Sequence, residues 1–201
     1  MCATGTLRVT SRNMADVLDL HGSALAEFDR RVHAVGPNQW HAATPCREWD
    51  VTDLVGHLLD EQRWVPYLLD GATAPEAEAA LATEPSPDDL ITAWSVAAGA
   101  ARTSWLATGV LERTVQLSYG ATSARHYLWE MTADLTVHAW DLARGIGADE
   151  ELDPSLVEAV LEWSLPKAPV LATSGLFDPP VPVPDDAASQ TRLLALYGRT
   201  E

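Results

Sequence analysis

Four long stretches of this chain place their apolar residues at three- and four-residue steps, and that period limits the available folds more than any other feature. In the first stretch Met14, Leu18, His21, Leu25, Phe28 and Val32 line one face, and Gly36-Pro37-Asn38 ends the helix. In the second, Asp50 is the expected N-cap and Asp53 its capping-box partner, ahead of Leu54, His57, Leu58, Glu61, Val65 and Leu68 on one broad face. The third is expected to start at Ser86-Pro87-Asp88-Asp89, where a capping serine precedes a proline and two acids that suit the helix dipole. Its buried stripe is Leu90, Trp94, Ala97, Ala101 and Trp105. The fourth runs from about Thr122 to Arg144, turns Leu128, Met131, Leu135, His138 and Leu142 inward, and stops at Gly145 or Gly147. Helices with one apolar face each bury those faces against one another, so the expected fold is an all-α four-helix bundle.

The intervening segments are shorter. Trp40 to Trp49 reads as a linker, and Gly71 to Glu84, rich in Ala, Pro and Glu, as a solvated connection. Val115 to Tyr119 reads as a short extended piece, and Asp153-Pro154 starts a fifth, shorter helix through Leu165. Proline enrichment makes Phe177 to Asp186 extended, and Leu193 to Leu196 forms one last turn. At 201 residues the chain is expected to be a single domain, with the bundle over about 12–147 and a C-terminal appendage over about 148–201.

Composition narrows the function classes. Twenty-nine acidic against 13 basic residues give a formal charge of −16, which repels phosphate backbones and argues against nucleic acid as a partner. No apolar run approaches the roughly 20 residues that span a bilayer. Met1 to Met14 lacks a basic-then-apolar signal pattern, so a cytoplasmic protein is expected. Cys2 and Cys46 are too few for a disulfide framework, and the absence of a CxxC pair excludes a zinc ribbon. Cys46 follows a proline, has no base near it in sequence and reads as a buried structural cysteine. The eight tryptophans fill helix contacts, with one or two left to line a pocket; the surplus of Trp and apolar surface would suit a homodimer. Nucleophile-elbow, P-loop, dinucleotide-binding and HExxH motifs are all absent.

The residues left for chemistry sit on the second and fourth helices. Asp134 and His138 are four apart, hence on one face with Cβ atoms roughly 5–6 Å apart, close enough for a carboxylate and an imidazole to converge on one ion. His57, flanked by Leu54 and Leu58, faces inward from the second helix. Bundles build metal sites from such inward side chains. A hydrogen-bonded core His–Asp pair produces the same spacing, so spacing alone leaves both readings open. Glu61 and Glu130 lie four residues from His57 and Asp134, as general-base candidates or as solvated rim carboxylates. His126 falls on the same row further out and is expected in solvent, while His21 either borders the cavity or is a core histidine.

Three segments carry a resemblance. Trp40, together with Thr44-Pro45-Cys46-Arg47-Glu48-Trp49-Asp50-Val51-Thr52-Asp53-Leu54-Val55-Gly56-His57-Leu58, resembles the opening motif of the mycothiol-dependent maleylpyruvate isomerase-like proteins of the DinB-like metalloprotein superfamily. Asp134-Leu135-Thr136-Val137-His138-Ala139-Trp140-Asp141-Leu142-Ala143 looks like their second motif. The tail from Phe177 to Pro184 and from Leu193 to Arg199 is similar to the end of a single-domain actinobacterial branch.

The resemblance implies a bundle holding a divalent metal on His57, Asp134 and His138, with Asp134 one methylene shorter than the Glu common in relatives. Two imidazoles and one carboxylate suit Zn²⁺ first, with Ni²⁺ or Fe²⁺ also compatible. It further implies thiol chemistry on a small-molecule substrate, as a mycothiol-type S-transferase or a thiol-assisted isomerase, with Arg47, Arg63 or Arg125 to bind an anionic substrate. Complete maleylpyruvate isomerases carry a further C-terminal domain, where this chain has only a short helix and a proline-rich tail. The alternatives are a thiol-independent metal-dependent hydrolase, lyase or cyclase, and a non-catalytic metal-binding protein.

Overall fold

A computed structural model describes residues 16–83 and 89–201. Cys2, Met14 and the expected helix start at Ser86-Pro87-Asp88 lie outside the described residues. The four expected helices are α1 (Val17–Val32), α2 (Val51–Leu69), α4 (Leu90–Trp105) and α5 (Ala124–Ile146). Their ends follow local chemistry. Asp50 and Asp53 form the reciprocal capping box, each carboxylate accepting the other's backbone N–H at 3.0 Å. Asp89 caps α4 by accepting the N–H groups of Ile91 and Thr92. α5 starts at a Ser123 cap and stops at Gly147, not Gly145. Gly147 takes the left-handed conformation (φ 66°), and Ala148 N–H reaches back to the Ala143 carbonyl at 2.8 Å.

Three elements depart from the expectation. The Ala- and Glu-rich connection forms α3 (Ala74–Leu81), begun by a Thr73–Glu76 capping box and anchored by buried Ala74 and Ala77. The extended piece is the first strand of an antiparallel hairpin, β1 (Thr114–Leu117) with β2 (Gly120–Ser123), which leads straight into α5. After α6 (Pro154–Ser164), a further short helix, α7 (Ala168–Ser174), forms where none was expected. The last turn is a two-turn helix, α8 (Ser189–Leu196). The proline-rich stretch before it is extended, as composition requires.

α1 packs chiefly on α5, and α2 on α4. One apolar cluster takes the C-terminal parts of α1 and α5, the N-terminal parts of α2 and α4, and side chains of α6 and α8, including Leu156, Leu193 and Tyr197. The other takes Val17, Val65, Leu68, Trp105, Val115, Tyr127, Leu128 and Met131. α1 and α5 therefore run in one direction and α2 and α4 in the other. Because α6 and α8 share the first cluster, the C-terminal appendage is packed into the bundle's own core. Buried His21, Gln62 and Thr132 come from the parts of α1, α2 and α5 where one cluster gives way to the other. No helix among the described residues is long and apolar enough to cross a membrane.

Candidate metal centre

Antiparallel α2 and α5 bring His57, Asp134 and His138 together. His57 Nε2 lies 3.4 Å from one Asp134 carboxylate oxygen, and His138 Nε2 lies 3.3 Å from the other. The imidazoles meet edge to face, with centroids 5.4 Å apart, and one ligand atom from each of the three residues falls within 4.8 Å of the others. A cation bonded to N or O donors at about 2.0–2.1 Å in tetrahedral geometry separates those donors by about 3.3–3.4 Å. Each imidazole nitrogen meets a different Asp134 oxygen, so either separation matches one such edge, and both exceed the ~2.7–2.9 Å of a charge-assisted hydrogen bond. The donor set thus fits a divalent cation, and the shorter aspartate reaches both imidazoles.

The electrostatics are those of a buried charge cluster. Burial opposes ionisation of Asp134, but His138 and His57 outweigh it and hold the carboxyl well below the usual carboxylate range. Burial would lower the pKa of His138, yet Asp134 at Nε2 and Asp141 at Nδ1 raise it well above the usual histidine range. Asp141 Oδ2 is 2.9 Å from His138 Nδ1. A carboxylate only accepts, so Nδ1 carries the proton and Nε2 is left to face His57 and Asp134. Asp141 sits three residues after His138 inside the quoted motif, so an i,i+3 reading of that motif would have found it.

Glu61, one turn beyond His57, is pushed up to about 7, first by burial and then by the charge of Asp134. Glu130, one turn before Asp134, accepts a 2.6 Å hydrogen bond from the Tyr119 hydroxyl of the hairpin. His126 is half-buried, 3.4 Å from Glu130 and against the Trp163 ring. The arginines disperse. Arg47 is exposed on the loop before α2 and pairs with Asp178 at 3.2 Å. Arg63, six residues past His57, falls on the far side of α2 and pairs with Asp60. Arg125, two and a half turns from Asp134, pairs with Glu112. His21 is wholly buried between Arg102 and Trp105, a core histidine.

The loop from Thr44 to Asp50 supplies what spacing did not reveal. Thr44 donates its hydroxyl to the Trp49 carbonyl at 2.9 Å, Trp49 N–H returns to the Cys46 carbonyl, and Glu48 takes a left-handed φ of 68° between them. This tight turn lays the Trp49 ring 5.0 Å from His57 and 6.0 Å from His138. It also buries Cys46, whose Sγ lies 3.6 Å from His138 Nδ1 and 3.2 Å from Asp141. Cys46 thus has ionisable neighbours, 92 and 95 residues away in sequence. Phe177 from the extended tail approaches His138 to 6.4 Å.

Comparison with known proteins follows the geometry. Residues 21–143, more than half of the chain, match the model of the mycothiol maleylpyruvate isomerase N-terminal domain. Two proteins of Mycobacterium tuberculosis, from strains CDC 1551 and H37Rv and both described only as uncharacterized, are 29% identical over 187 residues, which is 92% of this chain and 98% of theirs. Crystal structures of the mycothiol-dependent maleylpyruvate isomerase and of a point mutant of it superpose with a TM-score of 0.59 at 15% and 16% identity, covering 80% of this chain and 70% of theirs. At that identity the likeness establishes a shared fold, a helical bundle. The family model and the fold agree: the chain belongs to the mycothiol maleylpyruvate isomerase N-terminal domain family.

Proposed function

We propose that this protein is a metal-dependent enzyme that uses a mycothiol-type thiol on a small electrophilic substrate, as an isomerase or an S-transferase. The observation that carries the reading is the convergence of His57, Asp134 and His138, each imidazole nitrogen 3.3–3.4 Å from an Asp134 oxygen, with the far nitrogen of His138 bonded to Asp141. This is how proteins orient a histidine ligand and fix its tautomer. His57, Asp134 and His138 would hold a divalent cation, zinc first among the candidates, and such an ion would supply the positive charge that lowers the pKa of a nearby thiol toward neutrality.

The surrounding residues have separable tasks. Glu61, one turn beyond His57 and with its pKa raised by burial and by the charge of Asp134, is the carboxyl placed to take the thiol proton or to return one to the substrate. Tyr119 holds the Glu130 carboxylate, a second candidate for that proton transfer. Trp49 and Phe177 present apolar walls beside the histidines. All three candidate arginines pair with carboxylates; Arg47, on the Trp49 loop and paired with Asp178, is the one whose loop also reaches the histidines and is the candidate for an anionic substrate group.

The test is turnover of maleylpyruvate, and of alkylating electrophiles, by zinc-loaded protein with and without mycothiol. The expected result is a reaction that needs both metal and thiol and is lost in His57→Ala. Turnover that needs metal but survives removal of thiols would transfer the assignment to a hydrolase, lyase or cyclase. Absence of any thiol-dependent turnover, whether isomerisation of maleylpyruvate or conjugation of an electrophile, beside an active relative, would refute the thiol reading.

A further inference from the structure

Behind His138, on the side away from His57, lies a second group of metal-type donors. Cys46, His138 and Asp141 are all buried, with one ligand atom of each within 4.8 Å of the others. A cation already fills this place. Arg199, from the C-terminal tail, donates Nε to Asp141 Oδ1 at 3.1 Å and Nη2 to Asp141 Oδ2 at 2.8 Å, a two-pronged clamp on a fully buried carboxylate. The same Nη2 reaches Cys46 Sγ at 3.3 Å. A metal ion there would collide with the guanidinium charge, so this cluster is a support and not a second metal site.

The tail is shaped to deliver that arginine. α8 ends in a Schellman turn: Gly198 N–H bonds the Ala195 carbonyl at 3.1 Å, and Arg199 N–H bonds the Leu194 carbonyl at 2.9 Å. Gly198 has φ +79°, and a Cβ there would fall 2.4 Å from the Asp178 carbonyl oxygen, so only glycine fits. Arg199 Nη1 returns to the Tyr197 carbonyl at 2.7 Å, and Tyr197 is itself hydrogen-bonded to Ser164. The guanidinium is therefore preset by the turn. It reaches Asp141 across 58 residues of sequence, and Asp141 in turn holds His138 Nδ1.

We propose that Arg199 is a positioning residue for the metal centre: through Asp141 it fixes His138 in its coordinating orientation, so that metal binding and docking of the tail 189–199 stabilise each other. The inference rests on the metal reading above. Coupling of this kind is reciprocal, so whatever factor the docked tail adds to metal affinity, the metal adds to tail docking.

Two measurements test it. Zinc affinity is measured by competition with a chromophoric chelator for the intact chain and for Arg199→Met, Arg199→Lys and His57→Ala. Hydrogen exchange at the Gly198 and Arg199 amides is followed in the intact chain with and without zinc. Arg199→Met is expected to bind zinc about 10–100-fold more weakly, the usual effect of losing such a supporting group, and Arg199→Lys to recover part of the loss. Zinc is expected to slow exchange at the two tail amides in the unmutated protein by a comparable factor. If Arg199→Met does not fold, the exchange measurement alone decides. Unchanged zinc affinity in a folded Arg199→Met, or tail exchange indifferent to zinc, overturns the coupling while leaving the metal centre standing. An unmutated chain that takes up no zinc, or a His57→Ala that binds as well, overturns both.

Discussion

Replacing His21 by leucine should make the protein markedly less sensitive to mild acid. His21 is wholly buried in α1, its Nδ1 facing Arg102 Nη1 at 3.4 Å. Burial first, and the arginine charge second, push its pKa down from 6.5 to about 3. The unfolded chain takes up this proton below about 6.5 while the folded chain refuses it until about 3. The folded pKa is the depressed one, so the penalty is absent above 6.5 and grows as pH falls through the window between the two values. At ~1.4 kcal/mol per pH unit, acidifying to pH 5 costs about 2 kcal/mol from this group alone. Leucine removes the titration, and Arg102 keeps its 2.7 Å bond to the Leu18 carbonyl. Urea unfolding followed by tryptophan fluorescence, in chelator to hold metal out, gives stability near pH 7.5 and pH 5 for both proteins. The drop should be about 2 kcal/mol larger with histidine than with leucine, since every other titrating group is common to both. Parallel drops would refute the reasoning and mean that His21 accepts a proton in the fold.

Three other outcomes are expected. Gly198→Ala adds a Cβ 2.4 Å from the Asp178 carbonyl in a left-handed turn; it should lower stability by about 2 kcal/mol or more by thermal unfolding, because neither backbone can yield cheaply. Trp94 is wholly buried, tilted against the Phe28 ring with centroids 4.7 Å apart, and donates to Asp29 at 3.0 Å. Trp94→Ala should cost about 3–5 kcal/mol in denaturant unfolding, whereas Trp94→Phe, which keeps ring packing and loses the hydrogen bond, should cost well under half of that. Asp141→Asn removes the charge that both Arg199 and His138 use, and titration with zinc should show affinity reduced about 10–100-fold.

Most of the bundle was legible because its signals are local. The Asp50–Asp53 box, the Gly147 stop and the apolar steps of α1, α2, α4 and α5 each lie within a few residues of the structure that they dictate. α3 was missed because a solvated, alanine- and glutamate-rich helix buries little and has the composition of a linker. α7 has only seven residues, too few to show a helical period; Pro169 lies in its first turn, where a missing N–H costs nothing. The metal candidates were legible from helix periodicity joined to the family motifs. Arg199 and the Cys46 contacts were not, since they depend on how a tail and a loop dock on α5 across 58 and 95 residues. No local pattern encodes such a contact.

The central claim is that His57, Asp134 and His138 form one divalent-metal centre, and metal content tests it most directly. Elemental analysis of the protein as purified and after zinc loading and dialysis, beside His57→Ala treated alike, should find about one equivalent in the former and almost none in the variant, with unchanged helicity in both. Less than about a tenth of an equivalent in the unmutated protein, fully folded after chelation, would contradict the account.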